Sequence, residues 1–182
     1  MQDRSDDILI EAIQNGDHQA FATLVRKYSK YFYSICYRYT FDRMTAEDLT
    51  QQAFLKLWEF PDKFDPQKGA SFKTWFTQVI INLCIDFKRK NKQKFEDIEE
   101  MDVEDTTEEI SVKIHDRNLK LLLEKAISSL PASQRTAINL GFYQEIPYEE
   151  VAKIMKTTTS AVKSLIMRAK DNLRKSLKGI EL

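Results

Sequence analysis

A single stretch of fourteen residues limits most strongly how this chain can fold. From Glu96 to Glu109 there are nine acidic residues and no lysine or arginine, with few large apolar side chains among them. Such a segment cannot bury enough apolar surface to offset the entropy lost on ordering, so residues 96–111 are predicted to form a flexible acidic linker. Separate cores must form on either side, which predicts two domains, residues 1–95 and 112–182.

The composition favours helices on both sides of the linker. Hydrophobic residues make up 42% of the chain, whereas four glycines and four prolines leave little material for turn-rich β structure. The net charge of zero conceals a segregated distribution, because the chain without residues 96–109 carries a net charge of +9. An all-α protein with two mildly basic halves is therefore expected.

The sequence of the first half predicts four helices. Ser5, Thr45 and Ser71 can each cap a helix, and a long apolar-periodic run lies between the first two. Pro61 closes the third helix, and a loop with a further proline and a glycine precedes the fourth. These signals predict a compact four-helix unit.

The second half predicts a helix-turn-helix. Its expected helices run from about Val112 to Pro131, Ala132 to Phe142, Tyr148 to Met155 and Ala161 to Leu177. A short Thr-rich turn, TTTS, joins the last two and supplies capping hydroxyls. This close spacing of two short helices is what a DNA-binding helix-turn-helix needs.

Several classes of protein are disfavoured by what the sequence lacks. Cys36 and Cys84 lie far apart in apolar helical stretches, so buried reduced thiols are expected. Neither they nor His18 and His115 have ligand spacing, which predicts no metal and no cofactor. There is no Gly-rich phosphate loop and no histidine beside a carboxylate constellation, so an enzyme is not expected. A polar start and the lack of a long apolar run predict a cytoplasmic protein without membrane insertion.

The third helix raises a specific question. Its sequence, TAEDLTQQAFLKLW, places Leu55 at the centre of a polar arc, opposite the apolar arc that contains Leu49 and Leu57. Isolated surface leucines are common, and a leucine surrounded by amides and carboxylates is also typical of a partner-binding face. The helix alone leaves both interpretations open.

Two other helices carry candidate nucleic-acid surfaces. The last helix pairs a core arc with short hydroxyls and cations near its N-terminus, which are groups that reach base edges and phosphates in a major groove. The helix after Ser71 carries a polar stripe that leads into the basic run KRKNK. That stripe suits single-stranded bases better than duplex, and each helix could equally be a solvated basic surface.

Taken in order, five blocks resemble the bacterial RNA polymerase sigma factors of the extracytoplasmic-function (ECF) group. The blocks are AIQNGDHQAFATLVRKY, TAEDLTQQAFLKLW, SFKTWFTQVIINLCIDFKRK, ISSLPASQRTAINL and YEEVAKIMKTTTSAVKSLIMRAKDNLRKSL. The resemblance implies a first domain like sigma region 2, which binds core polymerase and melts the −10 element, and a second like region 4, which reads the −35 element. It further implies contacts with the β′ clamp helices and the β flap, promoter DNA as a ligand, and an anti-sigma factor as a regulator.

The resemblance assigns residues to three surfaces. The face predicted to bind core polymerase comprises Asp48, Gln51, Gln52, Leu55 and Glu59. The residues predicted to contact −10 DNA are Phe64, Lys68, Gln78, Asn82, Lys88, Arg89 and Lys90. The residues predicted to contact −35 DNA are Thr158, Thr159, Ser160, Lys163, Ser164, Met167, Arg168 and Lys175. The acidic linker would follow the polymerase channel through which RNA leaves, and a merely solubilising linker is the alternative.

One alternative function explains part of the chain. A stand-alone dimeric helix-turn-helix regulator would account for the last 70 residues, although it leaves the first domain and the linker without a role.

Overall fold

The computed structural model describes residues 4–65, 69–96 and 111–178, and every regular element among them is helical. The helices are α1 (Arg4–Gln14), α2 (His18–Thr40), α3 (Arg43–Glu59), α4 (Phe72–Glu96), α5 (Ser111–Ser129), α6 (Ala132–Ile138), α7 (Tyr148–Ile154) and α8 (Thr159–Ser176). A short 3-10 turn, Pro61–Lys63, follows α3, and a π-helical turn, Asn139–Tyr143, follows α6. The predicted all-α class is confirmed.

Helices α1 to α4 form the first unit around an aromatic core. Phe32 of α2, Phe54 of α3 and Phe76 of α4 meet at ring-centroid distances between 4.8 and 6.1 Å. Edge-to-face and tilted contacts of this kind add about 0.5–1.5 kcal/mol per pair to the hydrophobic effect of burial. Because one ring comes from each of three helices, the cluster fixes how α2, α3 and α4 pack.

Helix α3 begins earlier than the sequence predicts. Asp42, not Thr45, is the N-cap, and its side chain accepts a hydrogen bond of 2.7 Å from the Thr45 amide. This bond lowers the pKa of the Asp42 carboxyl, as expected for a carboxylate that interacts with a helix N-terminus. At α4 the predicted cap is confirmed, since the Ser71 hydroxyl accepts a 3.2 Å bond from the Thr74 amide.

Helices α5 to α8 form the second unit, in which α6, the π turn, α7 and α8 pack closely. Thr158 caps α8 by accepting a 3.1 Å bond from the Ala161 amide. The turn before α8 has no glycine, and Lys156 takes the left-handed backbone position with φ of 52°. A helix-turn-helix is therefore built with a lysine where glycine would be less strained.

The two cysteines, distant in sequence, are neighbours in the first unit. Both thiols are fully buried, and Cys84 Sγ lies 3.9 Å from Cys36 Sγ. Their buried position agrees with the expected reduced thiols, and nothing in the sequence indicated that the two would be neighbours.

The predicted linker falls mainly on residues 97–110, which lie outside the described residues; Glu96 and Ser111 are the terminal residues of α4 and α5.

Candidate partner and DNA surfaces

The first surface is the outer face of α3. Leu55 is 56% exposed, whereas Leu49 and Leu57 on the opposite face are 3% and 1% exposed. The four polar residues predicted to surround it, Asp48, Gln51, Gln52 and Glu59, are all exposed. An isolated apolar side chain within a polar rim is the arrangement found at the centre of many protein interfaces.

A groove beside Leu55 extends this surface onto α2. Apolar side chains on its α2 wall include Phe21, Val25 and Tyr33, and Lys30 supplies a cation at its edge. Sequence analysis missed this wall, because the side-chain pattern of α2 does not indicate which of its partly buried residues border α3. An entering apolar side chain would therefore meet both helices.

The second surface is the outer face of α8. Its core face is formed by Val162, Ile166 and Ala169, which are at most 4% exposed. The predicted DNA-contacting residues lie around the other side: Thr158, Ser160, Lys163, Met167, Arg168 and Lys175 are exposed, and Thr159 and Ser164 are half-buried. Met167 is 60% exposed.

The third surface is the polar stripe along α4. Asn82 and Lys90 are exposed, and Gln78 is half-buried one turn before Asn82. Arg89 is exposed and forms a 3.1 Å ion pair with Asp86. Such an exposed pair contributes less than about 1 kcal/mol, so Arg89 can exchange it for a phosphate at little cost.

Three of the residues predicted to contact −10 DNA do not lie on the exposed polar stripe of α4. Phe64 is 2% exposed and packs on Phe72 and Trp75 at ring-centroid distances of 5.7 and 5.2 Å, so it is a core residue and the prediction of a DNA contact is corrected. Lys88 is half-buried, and its ammonium donates a 2.6 Å hydrogen bond to the Ser128 carbonyl. Lys68 lies outside the described residues. The sequence could not distinguish Phe64 from a surface aromatic, because it stands in a loop without periodicity.

Burial and charge change the ionisation of Lys88. Removal from water, together with the nearby Arg135 guanidinium, lowers the pKa of Lys88 to about 8.

No cluster of three or more His, Cys, Asp or Glu side chains that could hold a metal ion occurs within the part of the chain that the structure describes.

Comparison with known families identifies both units. Residues 24–94 match the model of Sigma-70 region 2, and residues 120–173 match that of Sigma-70, region 4. The chain is 30% identical over 184 residues to the ECF RNA polymerase sigma factor SigW of Bacillus subtilis, which covers 94% of this chain and 96% of the relative. It is 28% identical over 177 residues to the ECF RNA polymerase sigma-E factor of Escherichia coli K12, covering 92% and 91%.

Solved structures agree on the fold. CnrH in complex with the cytosolic domain of CnrY superposes with a TM-score of 0.71 at 20% identity, covering 97% of this chain and 99% of that one. The sigma factor RpoE in complex with the anti-sigma factor NepR from Bartonella quintana gives a TM-score of 0.61 at 22% identity, covering 88% and 98%. Among the described residues, none of the helices is long and apolar enough to cross a membrane.

The chain therefore belongs to the ECF sigma factors of bacterial RNA polymerase. It is an alternative sigma factor that directs core RNA polymerase to promoters, and its partners are core polymerase and promoter DNA. The stand-alone regulator is not favoured, because that class leaves the region 2 match without an explanation.

Proposed function

We propose that three separate surfaces of this sigma factor carry out polymerase binding, −10 capture and −35 recognition. The outer face of α3 binds core polymerase, the stripe on α4 captures bases of the melted −10 element, and α8 reads the −35 duplex. The observation that carries the proposal is the 56% exposure of Leu55 on a helix whose other leucines are buried. The first and second domains, residues 1–95 and 112–182, are proposed as the units that contribute these surfaces.

Binding of polymerase through α3 follows from the physics of interfaces. Burying an exposed leucine contributes about 1.5–3 kcal/mol, which is large beside the near-zero contribution of most rim contacts. Gln51 and Gln52 can donate and accept hydrogen bonds around it, and Asp48 and Glu59 add charges that suit a cationic partner surface. By analogy with the family, that partner is the pair of clamp helices of the β′ subunit.

Reading of the −35 element divides between phosphate and base contacts. Lys163 lies near the N-terminus of α8, where its ammonium suits a backbone phosphate. Arg168 carries a fork of donors that can bind guanine O6 and N7 together, and the exposed Met167 suits the methyl group of thymine. The hydroxyls of Thr158, Thr159 and Ser160 can each donate a hydrogen bond to a phosphate, and the oxygen of Thr158 also accepts the capping bond from the Ala161 amide.

Capture of the −10 element is proposed for the stripe on α4. Asn82 offers an exposed amide to a base edge, and Arg89 and Lys90 lie toward the C-terminal end of the same helix for the backbone. Extruding a base from the duplex costs a few kcal/mol, which these contacts must offset.

We further infer an anti-sigma factor as a regulator, since one structural neighbour, the sigma factor RpoE, was solved in complex with the anti-sigma factor NepR. The β flap is proposed as the polymerase contact of the second domain. The protein would act in the cytoplasm, where polymerase works, and it would catalyse no reaction itself, because RNA synthesis belongs to the polymerase.

Reconstitution tests the proposal. Core polymerase from the source bacterium is incubated with the full chain, separated by size exclusion, and used for run-off transcription from a set of genomic promoters. Co-elution with core and transcription from a defined subset are expected. Failure to co-elute, or transcription indistinguishable from that of core alone, would contradict the proposed surfaces.

A further inference from the structure

The chain has two cysteines, and the fold brings them together in the core of the first unit. Cys36 on α2 and Cys84 on α4 are 48 residues apart in the sequence, and both side chains are fully buried. The Cys84 thiol donates a hydrogen bond to the Cys36 sulfur over 3.9 Å. An S–S bond forms when this distance shortens by about 1.9 Å. The two sulfurs can therefore meet through side-chain rotation and a small approach of α2 to α4.

The two thiols differ in how readily they lose a proton. The pKa of Cys36 is lowered, mainly because its sulfur accepts the bond from Cys84 and to a smaller extent through the neighbouring Thr50 hydroxyl, although burial acts in the opposite direction. The pKa of Cys84 is raised, because its proton is held in that bond and because burial disfavours its thiolate. Thiolates are the form of cysteine that attacks an oxidant, so Cys36 is the nucleophile of the pair.

Thr50 on α3 connects the Cys36 thiol with the groove beside Leu55. The Thr50 side chain borders that groove and also lies next to Cys36. Its hydroxyl donates a 2.7 Å bond to the Ala46 carbonyl within the same helix, and rotation of the side chain breaks this bond. A small polar oxidant that enters the groove therefore reaches the Cys36 sulfur when Thr50 moves aside.

We propose that Cys36 and Cys84 form an oxidation site, at which hydrogen peroxide converts the two thiols into a disulfide that links α2 to α4. The alternative role of buried cysteines is to pack as small apolar side chains, and it predicts thiols that stay unreactive while the chain is folded. The existence of the site does not depend on the sigma-factor function.

The reaction takes two steps. The Cys36 thiolate attacks one oxygen of hydrogen peroxide, the O–O bond breaks, and the departing hydroxide combines with the proton that Cys36 had lost. Cys36 is then a sulfenic acid. The Cys84 sulfur attacks the Cys36 sulfur, the S–O bond breaks, and the departing hydroxide takes the Cys84 proton as water. Two thiols have lost two electrons in total, and one peroxide has been reduced to two molecules of water.

Burial makes the product specific. Both sulfurs are enclosed by the core, so a bulky thiol such as glutathione is excluded from the sulfenic acid while Cys84 is already in contact with it. Because the chain has no third cysteine, the bond between Cys36 and Cys84 is the one disulfide that a single chain can form.

Polymerase should control access to this site, and this part of the inference rests on the proposed function of α3. The groove that Thr50 borders lies beside Leu55. A partner bound to that face covers the groove and excludes solvent from it. The free chain is then open to peroxide, and the chain in holoenzyme is protected.

Peroxide treatment of the reduced, full-length chain tests the site. The folded protein is exposed to hydrogen peroxide, remaining thiols are blocked with N-ethylmaleimide in urea, and intact mass and proteolytic peptides are measured by mass spectrometry. Loss of two hydrogen atoms and a peptide pair joined through Cys36 and Cys84 are expected. Thiols that resist peroxide in the folded chain and react only in urea would overturn the proposal.

Two single-cysteine variants test the order of the steps, with circular dichroism to establish that each retains its helices. Cys84→Ser keeps a hydrogen-bond donor opposite Cys36 and cannot form the disulfide, so a sulfenic acid should accumulate on Cys36 and react with dimedone once urea is added. The matched variant Cys36→Ser leaves the thiol of raised pKa and should be oxidised at least about tenfold more slowly. Equal oxidation of the two variants would overturn the assignment of Cys36 as the nucleophile.

Reconstituted holoenzyme tests the protection, measured on the peptides of the sigma factor alone. The disulfide should form at least about tenfold more slowly than in the free chain, and Leu55→Asp should lose this protection. Equally fast oxidation in a holoenzyme that co-elutes would overturn access through the groove. If the free chain forms the disulfide and no holoenzyme assembles, the proposed function of α3 is refuted and the oxidation site stands.

Discussion

Replacing Leu55 with aspartate separates partner binding from folding at the scale of one residue. The side chain is 56% exposed, so the change should alter the free energy of unfolding by less than about 0.5 kcal/mol. Loss of an interface anchor typically costs 2 kcal/mol or more, which corresponds to about a thirtyfold weaker affinity for core polymerase. Fluorescence anisotropy with core enzyme measures this change.

Ile8→Asp is the matched control for Leu55→Asp. Ile8 is 67% exposed on α1, so the substitution places the same charge on an exposed apolar position of another helix. Its affinity for core polymerase should stay within about twofold of wild type. If Leu55→Asp and wild type bind core polymerase with equal affinity, α3 does not form part of the interface.

Replacing Arg168 and replacing Lys163 should change DNA binding in different ways. Arg168→Ala should cost about 1–3 kcal/mol at a −35 sequence and relax preference at one base pair, whereas Lys163→Ala should weaken all sequences alike and lower the salt slope by about one. Competition binding of holoenzyme to single-base variants measures both. Arg26→Ala, which removes an exposed cation from α2, is the control and should leave the −35 preference unchanged. Identical profiles for all three variants would contradict the assignment of α8.

The residues that sequence alone placed well are those on periodic helices. Leu55, Asn82 and Arg168 were expected on outward faces, and the structure exposes each of them. Phe64 was misplaced because its burial depends on Phe72 and Trp75 across a loop, and a loop has no periodicity from which a face can be deduced.

At the scale of elements, Gly141 controls the packing of the helix-turn-helix. A Cβ at this position would lie 2.9 Å from Ile166 Cδ1 and 3.2 Å from Tyr148 Cε1. Overpacking costs about 1–3 kcal/mol, which exceeds the 0.5–1 kcal/mol or so by which alanine favours a helix over glycine. Gly141→Ala should therefore lower the free energy of unfolding by about 1 kcal/mol, as measured by urea denaturation.

Ile166→Val tests why Gly141→Ala should lower the free energy of unfolding. Valine lacks the Cδ1 atom that the new methyl group would meet, so the double variant should be less destabilised than the sum of the two single variants by about 0.5–1 kcal/mol. Strict additivity would show that Gly141 tolerates a side chain and that the close approach is relieved in another way.

Lys88 makes the contact between the two units sensitive to pH. When the units are docked, its ammonium donates a hydrogen bond to the Ser128 carbonyl of the second unit. Burial and Arg135 on α6 lower its pKa to about 8 in the docked form, whereas in an undocked form the exposed lysine regains its ordinary, higher pKa. Docking therefore releases a proton above pH 8, so the docked form is favoured as the pH rises from about 8 toward 10 and gains nothing below 8. The phenol of Tyr39, which lies under Arg135, has a raised pKa and stays neutral in this range.

Small-angle X-ray scattering between pH 7 and 9.5 measures this effect in Tyr39→Phe, which loses the hydroxyl that lies 3.2 Å from Thr136 Oγ1 of the second unit. The radius of gyration should fall as the pH rises, and the fall should vanish in Tyr39→Phe with Lys88→Met, which keeps the length of the side chain and removes its charge. A pH response that persists with methionine would assign the titration to another group.

The helices themselves were largely predictable, and their mutual contacts were not. Caps at Ser71 and Thr158 and the apolar periods gave the correct number of helices, with the start of α3 displaced because Asp42 offers a carboxylate just before Thr45. The bond from Lys88 to Ser128 and the approach of Cys36 to Cys84 involve residues forty or more apart in the chain. No local pattern encodes such pairs.

At the scale of the whole molecule, two DNA-reading surfaces on one chain should produce two separable sequence preferences. In the proposed division each unit contacts its own element, and the distance between the elements is set by polymerase and by the linker. A dimeric regulator would instead prefer two equivalent half-sites about one helical turn apart and would bind them without polymerase.

Transcription from a randomised promoter library by the reconstituted holoenzyme distinguishes these outcomes most directly. The sequences recovered should contain two unlike motifs about two helical turns apart, with Arg168→Ala altering only the upstream motif and Asn82→Ala only the downstream one. A single palindromic motif that the chain also selects in the absence of core polymerase would contradict the assignment of this protein as a sigma factor with divided promoter surfaces.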